Sequence, residues 1–267
     1  SARAERGLLA QLMSVQGAIC REVRDLRLAT KIMLQHDARD PWQVPMPLDG
    51  PDIGQPLVGY CRNPYGYPIH PNIVRDLDQA ATIMEDAGYR VEVIETPSMK
   101  EPAQAWFNFA MLEIKSTLDP LVREHGSETI QNVFDYFYQM SDLSDPSGYM
   151  VGIADRTRLI RDWNVLLAKY PLVITPFLMR PAYQTDYDES FEGCKDLMDA
   201  AIYSFGVNYL GLPAGIAPID LVEDMPSGVQ IIGQKWREDL ILNAMQTLED
   251  ANGIFAHRLW ESQSDQI

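Results

Sequence analysis

The sequence predicts an α/β fold, and two stretches carry the prediction. Residues 55–95 read as strand, helix, strand, the pattern of a right-handed parallel crossover. Residues 153–252 then alternate amphipathic helices with short apolar strands. The chain has 267 residues, 46% of them hydrophobic and 22% charged, a globular composition with enough length for a sizeable core. Nothing in it resembles a Gly/Ser or Pro-rich linker, so residues 1–267 are read as one continuous region.

In chain order, residues 21–35 place Val23, Leu26, Thr30 and Met33 on one helical face, and the Asp37-Ala-Arg-Asp-Pro-Trp run stops that helix. Residues 55–62, with Leu57, Val58 and Tyr60, form the first strand. Pro71 and Asn72 open the next helix; Ile73, Leu77, Ala80, Ala81 and Met84 line its apolar side, and Gly88 sits where a left-handed cap belongs. The mostly alternating, β-branched residues 90–95 predict a strand. From 97 to 149 the chain turns helical and aromatic, with Trp106, Phe107, Phe109, Phe134, Tyr136, Phe137 and Tyr138 in two expected helices. Such stripes pack a core, or they cap a ligand site. Residues 153–170 give a long helix with Ile160, Trp163 and Leu167 on one stripe, and residues 172–175 an apolar strand halted by Pro176. A short buried strand at 215–219, a polar loop through Met225-Pro226, and a second buried strand at 227–233 follow. The last helix starts at Glu238, runs to Asn252, and has an acidic first turn and Gly253 at its end.

Charge excludes some functions. With 22 Lys and Arg against 38 Asp and Glu the net charge is −16, which disfavours nucleic acid and anionic lipid as partners. No apolar run approaches the roughly 20 residues of a membrane helix. The charged start Ser1-Ala-Arg-Ala-Glu-Arg lacks a signal peptide's apolar core, so a cytoplasmic location is expected. Cys20, Cys61 and Cys194 are odd in number and far apart, which suits small buried thiols in a reducing compartment. His36, His70, His125 and His257 are too scattered for a local metal cluster, and no GxSxG, Walker A, GxGxxG or HExxH pattern occurs, so no metal or cofactor is expected.

One stretch is informative: Asn208-Tyr-Leu-Gly-Leu-Pro-Ala-Gly-Ile-Ala-Pro218, then Pro226-Ser-Gly-Val-Gln230-Ile-Ile-Gly233, then Trp236-Arg-Glu-Asp-Leu240. It resembles the C-terminal part of the amidase signature family, in which an Asn-x-x-Gly-x-Pro-Ala segment and a Pro-x-Gly-Val-Gln strand lead into a helix with an acidic start. Gly17-Ala18-Ile19 with Val23-Arg24-Asp25-Leu26, Asp40-Pro41, Ala87-Gly88-Tyr89 and Leu172-Val-Ile-Thr175-Pro176 add matches in the family's order. The resemblance implies an α/β/α sandwich with a mixed sheet, of which this chain is the C-terminal half with a helical insert at 97–149. It also implies hydrolysis of a linear carboxylic amide by a Ser–cis-Ser–Lys triad. That triad belongs to a Gly/Ser-rich N-terminal region which these residues do not include, and the chain has no adjacent Ser-Ser pair.

The resemblance therefore assigns this chain no catalytic residue. It assigns pocket walls: Ile216, Ala217 and Trp236 as substrate-binding residues, with Thr175 and Phe177 near the Thr-Pro turn. Ile216 and Trp236 read equally as core. Asp186 and Asp188, between two tyrosines, suit an amine substrate or a solvated acidic loop. The implied partners are a small-molecule amide and the N-terminal amidase region, in cis or as a separate chain; a homodimer is compatible with this reading. The alternatives are a non-catalytic small-molecule binding or scaffold protein derived from the family, and an obligate component of a two-chain amidase.

Overall fold

The computed structural model describes residues 7–62, 66–142, 146–222, 225–257 and 260. The start at Ser1 to Arg6 therefore lies outside the described residues. Five strands form a mixed sheet: β1 (Val58–Tyr60), β2 (Val91–Val93), β3 (Leu172–Pro176), β4 (Ala214–Val222) and β5 (Met225–Gly233), in the order β2-β1-β3-β5-β4. β1 is parallel to both β2 and β3, whereas β5 is antiparallel to β3 and β4. Every residue of the central strand β3 is buried.

One face of the sheet is covered by α2 (Val23–Met33), α3 (Pro71–Asp86) and α10 (Glu238–Asn252). α3 follows its sequence closely. The His70 side chain accepts a hydrogen bond from Asn72 N (3.3 Å) as the cap, Pro71 occupies the first turn, where a missing N–H costs nothing, and all five predicted apolar residues are buried. Gly88 ends it at φ +92°, and Tyr89 N reaches back to the Met84 carbonyl at 3.0 Å. Leu240, Ile241, Ala244, Met245 and Leu248 of α10 fill the rest of this core, against Val58, Leu172, Ile174, Val229 and Ile231. The acidic first turn of α10 has a specific job: the Asp239 carboxylate accepts from Gly50 N (3.1 Å) and from Arg237 (2.9 Å).

α2 departs from its predicted stripe. Val23 is buried and its N–H donates to the Glu249 carboxylate (2.8 Å), but Leu26 and Thr30 are half-buried and Met33 is 46% exposed. The helix lies at the rim with α10 as its main partner, so only its first turn, Val23 with Leu26 packed beside it, reaches the core.

The opposite face carries α1 (Leu8–Met13), α4 (Lys100–Thr117), α7 (Pro146–Lys169) and α9 (Ile202–Leu210) over Val173 and Ile232. Trp163 and Leu167 of α7 are buried as expected, with Phe107, Phe109, Tyr203, Tyr209 and Leu210 around them. The 97–149 segment holds three helices rather than two, then the start of α7; residues 143–145 of it lie outside the described residues. Pro120 starts the short α5 (Asp119–His125) because it sits well in a first turn and poorly inside a helix. Gly126 then breaks the chain, and Ser127, accepting from Ile130 N (3.3 Å), caps α6 (Glu128–Met140). α8 (Phe191–Ala200) packs against α6.

Two other expectations shift. The strand expected at 215–219 extends over nine residues and is not uniformly buried: among the described residues β4 is the edge strand, paired with β5 alone, and its Ala214, Ile216 and Pro218 are exposed. The polar loop shrinks, because Val222 pairs directly with Met225; residues 223–224 between them lie outside the described residues. Cys61 and Cys194 are buried thiols, while Cys20 is exposed, since residues 14–22 precede the packed part of α2.

Candidate substrate-wall site

Thr175, at the end of β3, stands directly opposite Gln230 of β5, and Gln230 stands opposite Ile216 of β4. Residues opposed in this way point to the same face, here the face of Val173 and Ile232 beneath α4, α7 and α9. Thr175 is fully buried and Gln230 is 2% exposed, and the Gln230 amide Nε2 donates to Thr175 Oγ1 at 3.2 Å. A neutral hydrogen bond contributes only about 1 kcal/mol net, but an amide and a hydroxyl buried without partners would cost more, so the pair holds itself in register. Ile216, the third member of the row, is 47% exposed.

Ala217 lies on the other face. Strand period places it opposite Val229 and Pro176, and it is 3% exposed within the core under α3 and α10. Trp236 is further away. It occupies the turn between β5 and α10, past Gly233, which pairs with Leu172 at the start of β3; Thr175 is three residues along that strand, about 10 Å at the usual rise. Trp236 is 48% exposed and has φ +65°, an uncommon conformation for a bulky residue. Phe177 is half-buried just beyond β3. The segment after it is fixed by Met179, whose N–H donates to the Ala200 carbonyl and whose carbonyl accepts from His70 N, both at 3.0 Å.

The sheet thus brings Thr175, Phe177 and Ile216 to one region, turns Ala217 to the opposite side, and holds Trp236 at the far end. Gln230 is the residue sequence reasoning passed over. Its signal was a lone amide in the apolar run Val229-Gln230-Ile231-Ile232, and period-two patterning does not say that a neighbouring strand will supply a hydroxyl.

A second buried polar group lies on the same face, past the ends of β1 and β2. Cys61 Sγ is 3.3 Å from the Tyr203 hydroxyl, which is 2.9 Å from Thr96 Oγ1. Burial pushes the Cys61 thiol up, more than its hydrogen bonds to Tyr203 and Thr96 lower it, which makes it a poor thiolate nucleophile. Asp186 and Asp188 lie in an exposed stretch where the Tyr183 and Tyr187 rings stack at 4.9 Å. Elsewhere, a shallow cavity of about 300 Å³ between the end of α2 and residues 46–49 contains none of the predicted site residues. Among the described residues no group of three or more His, Cys, Asp or Glu is arranged to hold a metal ion, and no helix is long and apolar enough to cross a membrane.

A family model described as Amidase matches residues 3–242. The indoleacetamide hydrolase of Bradyrhizobium diazoefficiens is 36% identical over 265 residues, covering 98% of this chain and 51% of that protein. The indoleacetamide hydrolase of Bradyrhizobium japonicum is 35% identical, covering 98% of this chain and 57% of its own length. The chain spans about half the length of the curated relatives it matches. Among solved structures, a 6-aminohexanoate cyclic dimer hydrolase complexed with substrate superposes with a TM-score of 0.70 at 18% identity, over 87% of this chain and 54% of that one. A bacterial aryl acylamidase of the amidase signature enzymes superposes with a TM-score of 0.69 at 22% identity, over 88% of this chain and 52% of its own. At these identities the structures share the fold.

Proposed function

The chain belongs to the amidase signature family, and on that premise we propose that it is the pocket-wall and scaffold part of a hydrolase that cleaves the C–N bond of a linear carboxylic amide. The similarity to indoleacetamide hydrolases along 98% of the chain carries the reading, and it favours an arylacetamide as the substrate class. In this proposal the Ser–cis-Ser–Lys residues come from an amidase region outside these 267 residues, joined in cis or supplied as a second chain. The serine attacks the amide carbonyl, the lysine accepts its proton through the bridging serine, the amine departs, and water releases the acid from the acyl-enzyme.

This chain's part is position and exclusion of water. Thr175 and Gln230 give a buried, fixed polar row under the helices, and Ile216 and Phe177 give apolar wall beside it. In the proposal Trp236 closes the wall from the far end, Ala217 supports the sheet from behind, and the helical segment 97–149 acts as the cap. The test is turnover of indole-3-acetamide and aryl amides by the chain alone and by the chain combined with the N-terminal amidase region. The expected result is no turnover and no fluorophosphonate labelling alone, and both when the two are combined. Single-site acylation of a serine in this chain alone would overturn the division of labour.

A further inference from the structure

The two edges of the sheet are finished differently. Edge strands that face water are kept short, charged or bulged, because an open row of N–H and C=O groups invites another strand. β2 has three residues, and its Glu92 carboxylate accepts from Arg90 at 3.0 Å and from the Tyr170 hydroxyl at 2.8 Å. β4 runs for nine residues; Ala214 to Ile219 carry no charge, and Asp220 follows only at the bulge.

The open groups of β4 can be assigned. Gly233 N donates to the Pro213 carbonyl at 3.0 Å, and bonded and non-bonded pairs alternate along an antiparallel ladder. Gly215 and Ala217 therefore bond to β5, whereas the N–H and C=O groups of Ala214 and Ile216 and the Pro218 carbonyl point away from it, with no strand beyond them among the described residues. Cover is uneven as well. On one face α3 and α10 reach β4, and Ala217 and Ile219 are buried. On the other, Val173 and Ile232 are fully buried while Ala214 in the same row is exposed; Thr175 and Gln230 are buried while Ile216, next in theirs, is not. The cover given by α4, α7 and α9 thus ends at β5, one strand short of the edge.

We infer that the β4 edge at 214–218, with the bare side of Ala214 and Ile216, is the seam that receives a strand of the amidase region lying outside these residues, an inference that rests on the division of labour proposed above. Strand addition supplies backbone partners for the open groups, and the added chain covers the apolar side chains beside them. The relatives provide the length: this chain covers 51% and 57% of the two indoleacetamide hydrolases, so a comparable length of each lies outside the match. A second copy is the poorer occupant, since each carries a net charge of −16 and the two repel. A strand added at this edge lies beside the row of Thr175, Gln230 and Ile216, where the proposed reaction needs its serine.

Amide hydrogen exchange, resolved by fragmentation mass spectrometry, tests the seam on the 267-residue chain alone and on the same chain joined to the part of the Bradyrhizobium diazoefficiens hydrolase outside the match. The Ala214 and Ile216 amides should exchange freely in the chain alone and slow by about a hundredfold or more in the joined protein. Unprotected Ala214 and Ile216 in the joined protein, or slowing confined to Val91 and Val93 of the other edge, would overturn the inference. Slowing in the chain alone, together with a dimer on size exclusion, would give the edge to a second copy and overturn it equally. Ala214→Lys puts a charge on the bare side and outside the core. It should leave the thermal midpoint of the chain alone within about two degrees of the parent and weaken binding of the separately supplied region about tenfold or more; unchanged binding would refute the seam. Turnover with unprotected β4 amides leaves the amidase reading standing and removes the seam, and protection without turnover does the reverse.

Discussion

The two faces of the sheet are built differently. Under α3 and α10 the core is made of aliphatic side chains at regular helical spacing, with the polar groups Asp76 and Asp239 set at its ends. Under α4, α7 and α9 it is made of Trp163, Tyr203, Tyr209 and several phenylalanines, and polar pairs lie inside it: Thr175 with Gln230, and Cys61 with Tyr203 and Thr96. A face that only packs tolerates a simple pattern. Buried hydrogen-bonded groups on the other fix rotamers and one strand register, a requirement that fits the substrate-wall role proposed for this face and is absent from a plain core.

The comparison breaks most visibly at its centre. Trp163→Ala should cost about 3–5 kcal/mol, because a fully buried indole leaves a cavity among aromatic neighbours that cannot collapse into it. Leu77→Ala, at 0% exposure on α3, should cost about 2–4 kcal/mol, since the smaller aliphatic neighbours relax more readily. Urea unfolding midpoints measure both, and a larger loss for Leu77 would reverse the contrast.

The carboxylates at the ends of the aliphatic face should respond to pH in opposite senses. Burial raises the Asp239 carboxyl, but Arg237 and Gly50 N more than offset it and hold the group below its ordinary value. Its contribution is therefore full above about pH 4 and is lost as pH falls below that, and Asp239→Ala should cost about 2 kcal/mol at pH 7 and less at pH 3. Asp76 is raised, chiefly by burial, and its Oδ2 has no hydrogen-bond partner. Its neutral form suits the fold better, so stability at this site falls as pH rises above about 4, and Asp76→Asn should stabilise at pH 7. Thermal unfolding from pH 3 to 8 checks both signs.

Smaller effects sharpen the site. Thr175→Val strands the Gln230 amide and should cost about 1–2 kcal/mol, whereas Thr175→Val with Gln230→Met should cost less than the two single changes summed, a coupling that a double-mutant cycle reads. Trp236→Gly should change stability by less than about 1 kcal/mol despite removing the largest side chain type, because relief of the positive φ offsets the contacts of a half-exposed ring.

Legibility in the sequence followed the same division. The stripe Ile73, Leu77, Ala80, Ala81 and Met84, its Gly88 stop and the run of α10 were readable because one helical face buries against one flat sheet. The aromatic segment was readable as helix but not as three helices, since Pro120, which starts one helix, and Ser127, which caps the next, look in sequence like one polar interruption between two aromatic runs. Ile216 and Ala217 were named together from motif order; alternation in a strand sends neighbours to opposite faces, and only the pairing with Gln230 and Val229 shows which goes where.

The strand connections also set the order in which the molecule can assemble. β4 and β5 are joined by two residues, so their closure is the least expensive in chain entropy and the hairpin can form early, with β5 offering a free edge. β1 and β3, by contrast, align Val58 with Leu172, 114 positions apart, and enclose α3 through α7 between them. The middle of the sheet should therefore be its last seam to close, with amides of β1 expected to gain protection from exchange after those of β5 in a refolding pulse-labelling experiment.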